Sequence, residues 1–291
     1  MIKMIACDMD GTLLNSENQL SEANRMAVLA AQRSGIRFVV ATGRGRQNVI
    51  DLLQKKDIQC GSILLNGAVY MDEQQQQLFS LPLSKPAANK AYQVFHKYEL
   101  FSRIFCEDGF YSEAKKVRLM HDMLARLGLD HEFSEEELYT MAEEDDFIGI
   151  TKPLIAWEET LNQQHIYKLE AFRYGSPNLE MVCKELAQID DIAVTSSFAN
   201  NIEVTNILAQ KGQMLEKVAA HYGLMHSEVM VIGDSMNDLS MFRSFSNSVA
   251  VANADIEVRK AASQITDSND QMGVAKILFR TIESNRRLQE F

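Results

Sequence analysis

The feature that most constrains this chain is an apolar run at residues 2–7 that leads into two aspartates, Asp8 and Asp10. The run has the length and continuous apolar character of a strand that is buried on both faces. Ligands of open α/β sheets bind beyond the carboxyl ends of the strands, where these carboxylates would lie. If the strand continued, both would point the same way. Gly11 then permits a turn that most residues cannot make, and the run alone also fits a strand ending in a hairpin turn.

Two later segments repeat this pattern of an apolar strand followed by a polar turn. Residues 36–41 and 62–65 are the strands, and a helical pattern separates each from the strand before it. The polar residues that follow are Thr42, Gly43 and Arg44 after the first, and Asn66 after the second. This β-α-β-α-β alternation predicts an α/β fold with a Rossmann-like core, in which helices cover both faces of a parallel sheet.

The middle of the chain has a different pattern, in which short hairpins and helices alternate without the βα rhythm. A hairpin is predicted to turn at Asp108-Gly109, a capping box links Ser134 to Glu137, and a helix is predicted after Ser176-Pro177. The α/β rhythm then resumes, and it includes a predicted strand at residues 228–232 that ends in the polar run at residues 233–238. We therefore expect a discontinuous core of residues 1–83 and 206–291, and a smaller inserted α+β domain at residues 84–205.

Composition argues against several classes of partner. The net charge of −11 disfavours nucleic acid or an anionic membrane surface as a main partner. No apolar run approaches the ~18 residues of a membrane helix, and Asp8 and Asp10 interrupt the apolar region that a signal peptide needs. The four cysteines lie far apart without CxxC spacing, which is typical of buried thiols in a reducing compartment. A cytoplasmic protein is expected.

Folding would bring several oxygen-bearing side chains to one edge of the predicted sheet. They are Asp8, Asp10, Asp234, Asn237 and Asp238. Two unit charges ~4 Å apart repel by about 4 kcal/mol at an effective dielectric constant near 20, so this group of carboxylates needs a cation. Ligands that are all oxygen favour a hard divalent ion, and Mg²⁺ fits best. Lys211 opens a later helix and can supply a second positive charge beside a dianionic phosphate.

Each of these segments also has an ordinary structural interpretation. Thr42 and Gly43 can form a helix N-cap, and Lys211 can be a solvated helix lysine. Residues 234–238 can be capping and turn residues, and Arg44 can be a surface or structural residue. The functional interpretation therefore depends on all of these segments occurring together and in this order.

Four runs together resemble the motifs of the haloacid dehalogenase superfamily. In chain order they are Asp8-Met9-Asp10-Gly11-Thr12, Ala41-Thr42-Gly43-Arg44, Lys211-Gly212 and Gly233-Asp234-Ser235-Met236-Asn237-Asp238. The insertion between the second and third motifs resembles the cap of the Cof-type sugar-phosphatase branch, and two further runs are similar to that branch: Asn66-Gly67-Ala68 and Asp270-Gln271-Met272-Gly273-Val274-Ala275. One departure is visible before Lys211, where a Gly-Val-Ser-like run is frequent in the family and this chain has Leu208-Ala209-Gln210.

The resemblance implies a phosphatase that hydrolyses sugar phosphates or related small phosphorylated metabolites through an aspartyl-phosphate. Asp8 would be the nucleophile, and Asp10 the general acid and then the general base. Mg²⁺ would bind the Asp8 carboxylate, the Asp10 main-chain carbonyl and Asp234. The remaining roles fall to Asn237 and Asp238 as supports of the ligand set, to Thr42, Gly43 and Lys211 as phosphate-binding residues, and to Arg44 and Asn66 as possible substrate contacts.

Two other functions would use the same chemistry at Asp8. A phosphomutase would return the phosphoryl group to its sugar and release little free phosphate. A phospho-receiver module would need a phosphorylatable aspartate and a metal, but it has no use for an acid/base carboxylate at Asp10. Product analysis therefore separates the phosphatase from the mutase, and Asp10 separates both enzymes from the receiver.

Overall fold

A computed structural model describes residues 1–126, 128–129, 132–145, 148–172, 179–195 and 201–290. The strands in those residues are β1 (Met4–Asp8), β2 (Arg37–Ala41), β3 (Gly61–Leu64), β4 (Val69–Met71), β5 (Gln77–Ser80), β6 (Phe101–Cys106), β7 (Gly109–Ser112), β8 (Lys152–Pro153), β9 (Ile166–Phe172), β10 (Ile192–Thr195), β11 (Asn201–Asn206), β12 (Val229–Gly233), β13 (Asn247–Ala250) and β14 (Gln264–Ile265). The helices are α1 (Glu22–Arg33), α2 (Arg46–Gln54), α3 (Lys85–Lys97), α4 (Lys116–Arg126), α5 (Glu135–Glu144), α6 (Trp157–Gln163), α7 (Leu179–Leu186), α8 (Lys211–His221), α9 (Leu239–Ser244), α10 (Ile256–Ala261) and α11 (Gly273–Gln289).

The chain forms two units, of which the first comprises Met1–Ser80 together with Ala209–Phe291. Its eight-stranded sheet has the order β14-β13-β12-β1-β2-β3-β4-β5. The strands from β14 to β3 pair in parallel, and β4 and β5 extend the sheet as an antiparallel hairpin. All five residues of β1 are buried, and since side chains alternate between faces, both faces of the sheet are covered there. The predicted Rossmann-like α/β core is confirmed.

The parallel order of this sheet brings three polar segments to one edge. Asp8 ends β1, Thr42 follows β2, and Asp234 follows Gly233 at the end of β12. Strand β1 lies between the other two, with Asp8 opposite Ala41 of β2 and Cys7 opposite Ile232 of β12. The crevice beyond these strand ends is the usual ligand position in a sheet of this kind.

The second unit, Leu81–Leu208, is built on a six-stranded sheet with the order β10-β11-β9-β6-β7-β8. Its strands are antiparallel except for the last pair, β7 and β8. An apolar core that includes Phe95 of α3, Trp157 of α6 and Leu169 of β9 joins the sheet to its helices. This α+β arrangement agrees with the predicted fold class, and the capping box at Ser134 is confirmed. The predicted hairpin is present, but it turns at Glu107-Asp108, because Gly109 already pairs with Cys106 as the first residue of β7.

Three short elements were not predicted from the sequence. Strands β8 and β14 have two residues each, so an alternating pattern cannot form in them. Helix α6 follows Ala156, which offers no side-chain cap, so the usual start signal is missing. The predicted helix start at Ser176-Pro177 lies outside the described residues, and the helix there is described from Leu179 onward.

Two predictions based on composition can be compared with the structure. The thiols of Cys7, Cys60 and Cys106 are free and buried as predicted, and burial raises the pKa of Cys60 and of Cys106 to about 12. Cys183 is only partly buried, although Val182 and Leu186 of the same helix belong to the apolar core. Among the helices that the structure describes, none is both long enough and apolar enough to cross a membrane.

Helices α8 and α9 approach each other closely at Gly212. A Cβ atom on Gly212 would lie 2.2 Å from the Ser240 carbonyl oxygen and 2.7 Å from the Met241 nitrogen. Because both contacts are to backbone, we expect Gly212→Ala to lower the free energy of unfolding by about 1–3 kcal/mol, measured by urea denaturation. Gln213→Ala in the same helix is the matched control and should stay within about 0.5 kcal/mol of the wild type. Equal stability of the two variants would contradict this close approach.

Candidate active site

Strand β1 stops at Asp8, and the chain then makes a π-type turn over Met9–Leu13. Gly11 lies in this turn with φ 75°, and a Cβ atom there would be 2.6 Å from Asp234 Oδ2. Any residue other than glycine would therefore be strained and would also collide with a carboxylate. Because strand geometry ends before Asp10, the two aspartates do not continue one face of β1. The turn points the side chains of Asp8 and Asp10 in different directions and brings its own backbone close to Asp234.

Lys211 is fully buried between two carboxylates. Its Nζ donates to Asp8 Oδ1 at 2.6 Å and to Asp238 Oδ1 at 2.7 Å. Burial opposes the charged form of this amine, yet the carboxylates of Asp238 and Asp8 outweigh it and raise the pKa of Lys211. The lysine is therefore a fixed positive charge inside the protein. The solvated-lysine interpretation is excluded by its complete burial.

The loop after β12 is held by its own polar side chains and by Thr12 of the turn after β1. Asp238 Oδ2 accepts hydrogen bonds from the backbone N–H groups of Asp234 and Ser235, both at 3.0 Å. Asp234 in turn accepts from Thr12 Oγ1 at 2.7 Å and from Ser235 Oγ at 2.9 Å. Thr12 and Ser235 were not singled out from the sequence, although both lie inside the motif runs. Their hydroxyl groups fix the direction of the Asp234 carboxylate.

Three acidic side chains lie close enough to share a metal ion, within the part of the chain that the structure describes. They are Asp8, Asp234 and Asp238, and one ligand atom of each lies within 4.8 Å of the others. Burial raises the pKa of Asp8 and of Asp234, and their carboxylate neighbours add to this, while Lys211 acts against it at Asp8. A donor set made only of carboxylate oxygens fits a hard divalent cation, whose charge would relieve this crowding.

The Asp10 carboxylate is not a member of this group. It is nearly half exposed, and Arg44 binds it through Nε at 3.0 Å and NH2 at 2.5 Å. The expectation of four carboxylates at one point is therefore wrong for the Asp10 side chain, because the turn directs it toward the loop after β2. The contact of Arg44 with Asp10 within the protein was not predicted, although both belong to the motif runs.

The remaining predicted residues lie together at the neighbouring strand ends. Thr42 is fully buried, and its Oγ1 accepts from the Arg44 backbone N–H at 3.1 Å. The backbone N–H of Asn66 donates to the Thr42 carbonyl at 3.0 Å, and the Asn66 side-chain oxygen accepts from Asn237 Nδ2 at 3.1 Å. A Cβ atom on Gly43 would lie 3.1 Å from that same oxygen. Asn66 thus connects the loop after β2 to the loop after β12.

Comparisons with known proteins agree with this arrangement. The profile of the haloacid dehalogenase-like hydrolase family matches residues 5–278. The chain is 28% identical over 284 residues to phosphatase YwpJ of Bacillus subtilis (strain 168), covering 95% of this chain and 99% of that protein. It is 31% identical over 278 residues to 5-amino-6-(5-phospho-D-ribitylamino)uracil phosphatase YwtE of the same organism, covering 94% of this chain and 96% of that protein.

A solved structure gives the same result. A haloacid dehalogenase-like hydrolase from B. subtilis superposes with a TM-score of 0.81 at 28% identity, covering 95% of this chain and 99% of that one. The resemblance seen in the motifs is confirmed over nearly the whole length of both proteins. The chain therefore belongs to the haloacid dehalogenase-like hydrolases and is a phosphatase of that family.

Proposed function

We propose that this phosphatase is a Mg²⁺-dependent hydrolase of small phosphomonoesters, and that it works through an aspartyl-phosphate on Asp8. The observation that carries the proposal is the position of Lys211, which is buried between Asp8 and Asp238. A carboxylate oxygen of Asp234 lies within 4.8 Å of one oxygen of each of these two aspartates. A buried ammonium group beside a carboxylate nucleophile provides fixed positive charge where phosphoryl oxygens would approach. The Thr42 hydroxyl and the Gly43 backbone at the neighbouring strand end would complete the phosphate-binding surface.

In the first proposed step an Asp8 carboxylate oxygen attacks phosphorus and forms an acyl-phosphate bond. The ester P–O bond breaks, and its electron pair stays on the leaving oxygen, which takes a proton from Asp10. In the second step a water molecule gives a proton to Asp10 and its oxygen attacks phosphorus. The acyl-phosphate bond then breaks, which restores the Asp8 carboxylate and releases inorganic phosphate.

Mg²⁺ would be held by Asp8 and Asp234, with the Asp10 main-chain carbonyl as the third proposed protein ligand. When bound, the ion would supply positive charge that offsets the carboxylates and the dianionic phosphate. Asp238 uses one oxygen for Lys211 and the other for two backbone N–H groups, which favours a role in positioning the loop. Asn237 would support the same loop through its contact with Asn66.

Small phosphorylated metabolites, including sugar phosphates, are the proposed substrate class. The relative that is 31% identical is named for a substrate that carries phosphate on a ribityl chain. A phosphorylated sugar alcohol therefore belongs in the first set of compounds to test. Arg44 and Asn66 stay candidates for substrate contact, since both lie beside the proposed phosphate site.

The test is release of inorganic phosphate from a panel of phosphorylated metabolites in the presence of Mg²⁺. We expect hydrolysis of several phosphomonoesters, loss of activity in excess EDTA, and recovery when Mg²⁺ is added beyond the chelator. Recovery identifies loss of the ion, and not unfolding, as the cause. A folded protein that releases no phosphate from any compound of the panel would contradict the proposal. An isomerised product that keeps its phosphate would favour the mutase.

A further inference from the structure

We propose that three asparagines, Asn24, Asn253 and Asn269, hold the turn after β1 in the conformation that places Asp10 for proton transfer. They are positioning residues, because none of them is among the residues proposed to meet the substrate or the ion. The inference rests on the proposed role of Asp10 as general acid. It goes further because it assigns the placement of Asp10 to side chains that lie outside all four motif runs.

The three side chains share one kind of contact. Each donates a side-chain N–H to a backbone carbonyl of the turn or of its exit: Asn253 Nδ2 to Gly11 O at 2.8 Å, Asn24 Nδ2 to Leu13 O at 2.8 Å, and Asn269 Nδ2 to Leu14 O at 3.0 Å. The turn has two residues with non-helical dihedral angles, Asp10 and Gly11. Its carbonyls therefore cannot be satisfied by a regular helical ladder and need other donors.

The amide oxygens of Asn253 and Asn24 also accept hydrogen bonds, so the orientation of these two side chains is set by their partners. Asn253 Oδ1 accepts from the Asn269 backbone N–H at 3.0 Å, which joins two of the three asparagines. Asn24 Oδ1 accepts from the Ala275 backbone N–H at 3.0 Å, in the first turn of α11. Because the amide group has a donor side and an acceptor side, neither contact survives a flip of the side chain.

Asn253 acts nearest to Asp10. Its contact is to the carbonyl of Gly11, the residue directly after Asp10, and a Cβ atom on Gly11 would lie 2.6 Å from the Asp234 carboxylate. The same loop also donates from the Asp255 backbone N–H to the Asp234 carbonyl at 2.8 Å. The Gly11 carbonyl is therefore held by Asn253, next to the Asp10 carboxylate that Arg44 binds. Under this proposal, loss of the Asn253 contact lets the turn shift and moves Asp10 with it.

The leaving group of the substrate separates positioning from general stabilisation. A primary alkoxide is a poor leaving group, so cleavage of an alkyl phosphate needs a well-placed proton donor. The p-nitrophenolate ion departs readily without a proton. Misplacement of Asp10 should therefore slow cleavage of the alkyl ester and spare the aryl ester, whereas partial loss of folded enzyme slows both equally.

The experiment compares kcat/KM for p-nitrophenyl phosphate and for a primary alkyl phosphate hydrolysed by the wild type. This parameter covers the steps up to departure of the leaving group, so hydrolysis of the aspartyl-phosphate does not enter. Asn253 is exposed, and Asn253→Ala should fold. We expect kcat/KM to fall roughly tenfold or more with the alkyl ester and less than about threefold with the aryl ester. Asn253→Asp, which keeps the acceptor but loses the donor, should behave alike.

The matched control is Asn247→Ala, because Asn247 Nδ2 donates to the Ser227 carbonyl at 2.8 Å, at the end of β12 opposite the site. It should leave both values of kcat/KM unchanged. Asn269→Ala tests a second of the three asparagines. The fraction of this variant that folds should show the same selective loss with the alkyl ester as Asn253→Ala.

Asp10→Asn supplies the reference pattern and keeps two kinds of failure apart. If the Asp10→Asn substitution does not lower kcat/KM for the alkyl ester more than for the aryl ester, the proposed acid role of Asp10 is wrong. If it does, but the Asn253 variants slow both esters equally or neither of them, the positioning inference is overturned and the proposed function stands.

Discussion

Lys211→Met is expected to lower the free energy of unfolding by about 3–5 kcal/mol and to abolish activity. Lys211 is fully buried and is bound to both Asp8 and Asp238, so the variant leaves two carboxylates facing each other without their shared counter-ion. Methionine is unbranched and replaces most of the volume of the lysine side chain up to its ammonium group, so the loss of charge is largely separated from the loss of volume. Urea denaturation in EDTA measures the effect without a cation that substitutes for the missing ammonium group.

Lys217→Met is the control for this prediction. Lys217 lies in the same helix, α8, and is exposed, so removal of its charge should change stability by no more than about 0.5 kcal/mol. Similar stability of the two variants would show that the Asp8 and Asp238 carboxylates do not depend on Lys211. The proposed fixed charge at the phosphate site would then lose its support.

The strand pattern was sufficient to predict the core sheet and the edge where the polar residues meet. Continuous apolar runs indicate parallel strands buried on both faces, and the carboxyl ends of such strands share one edge. The position of Asp8, Thr42 and Asp234 at that edge follows from this reasoning alone. The order of the motifs then identified Lys211 as a phosphate-binding candidate. This residue is 203 residues from Asp8 in the chain and has no local feature that distinguishes it from a surface lysine.

Side-chain directions after the end of β1 could not be predicted in the same way. The alternation rule holds only within a strand, and the chain leaves strand geometry between Asp8 and Asp10. The pairing of Asp10 with Arg44 depends on that turn. The contact between Asn253 and Gly11 spans 242 residues, so no periodicity or capping rule reports it. Such contacts are properties of the packed loops and become visible only in the folded structure.

Asp8→Asn is expected to abolish phosphate release while the protein stays folded. Under the proposed function the Asp8 carboxylate forms the acyl-phosphate bond, and an amide at this position has no anionic oxygen to attack phosphorus. We expect kcat to fall by about 10⁴-fold or more, since loss of the nucleophile removes the covalent route as a whole. Steady-state phosphate release measures the loss, and urea denaturation establishes that the variant is folded.

Asp267→Asn is the control for the same change, because the Asp267 carboxylate is about half exposed and pairs with Lys276. Its activity should stay close to that of the wild type. The proposed mechanism also requires that brief reaction with labelled substrate, followed by acid quenching, leaves phosphate on the wild type and none on Asp8→Asn. Labelling of the Asp8→Asn variant to the wild-type level would assign the covalent phosphate to another residue, and the proposed nucleophile would be wrong.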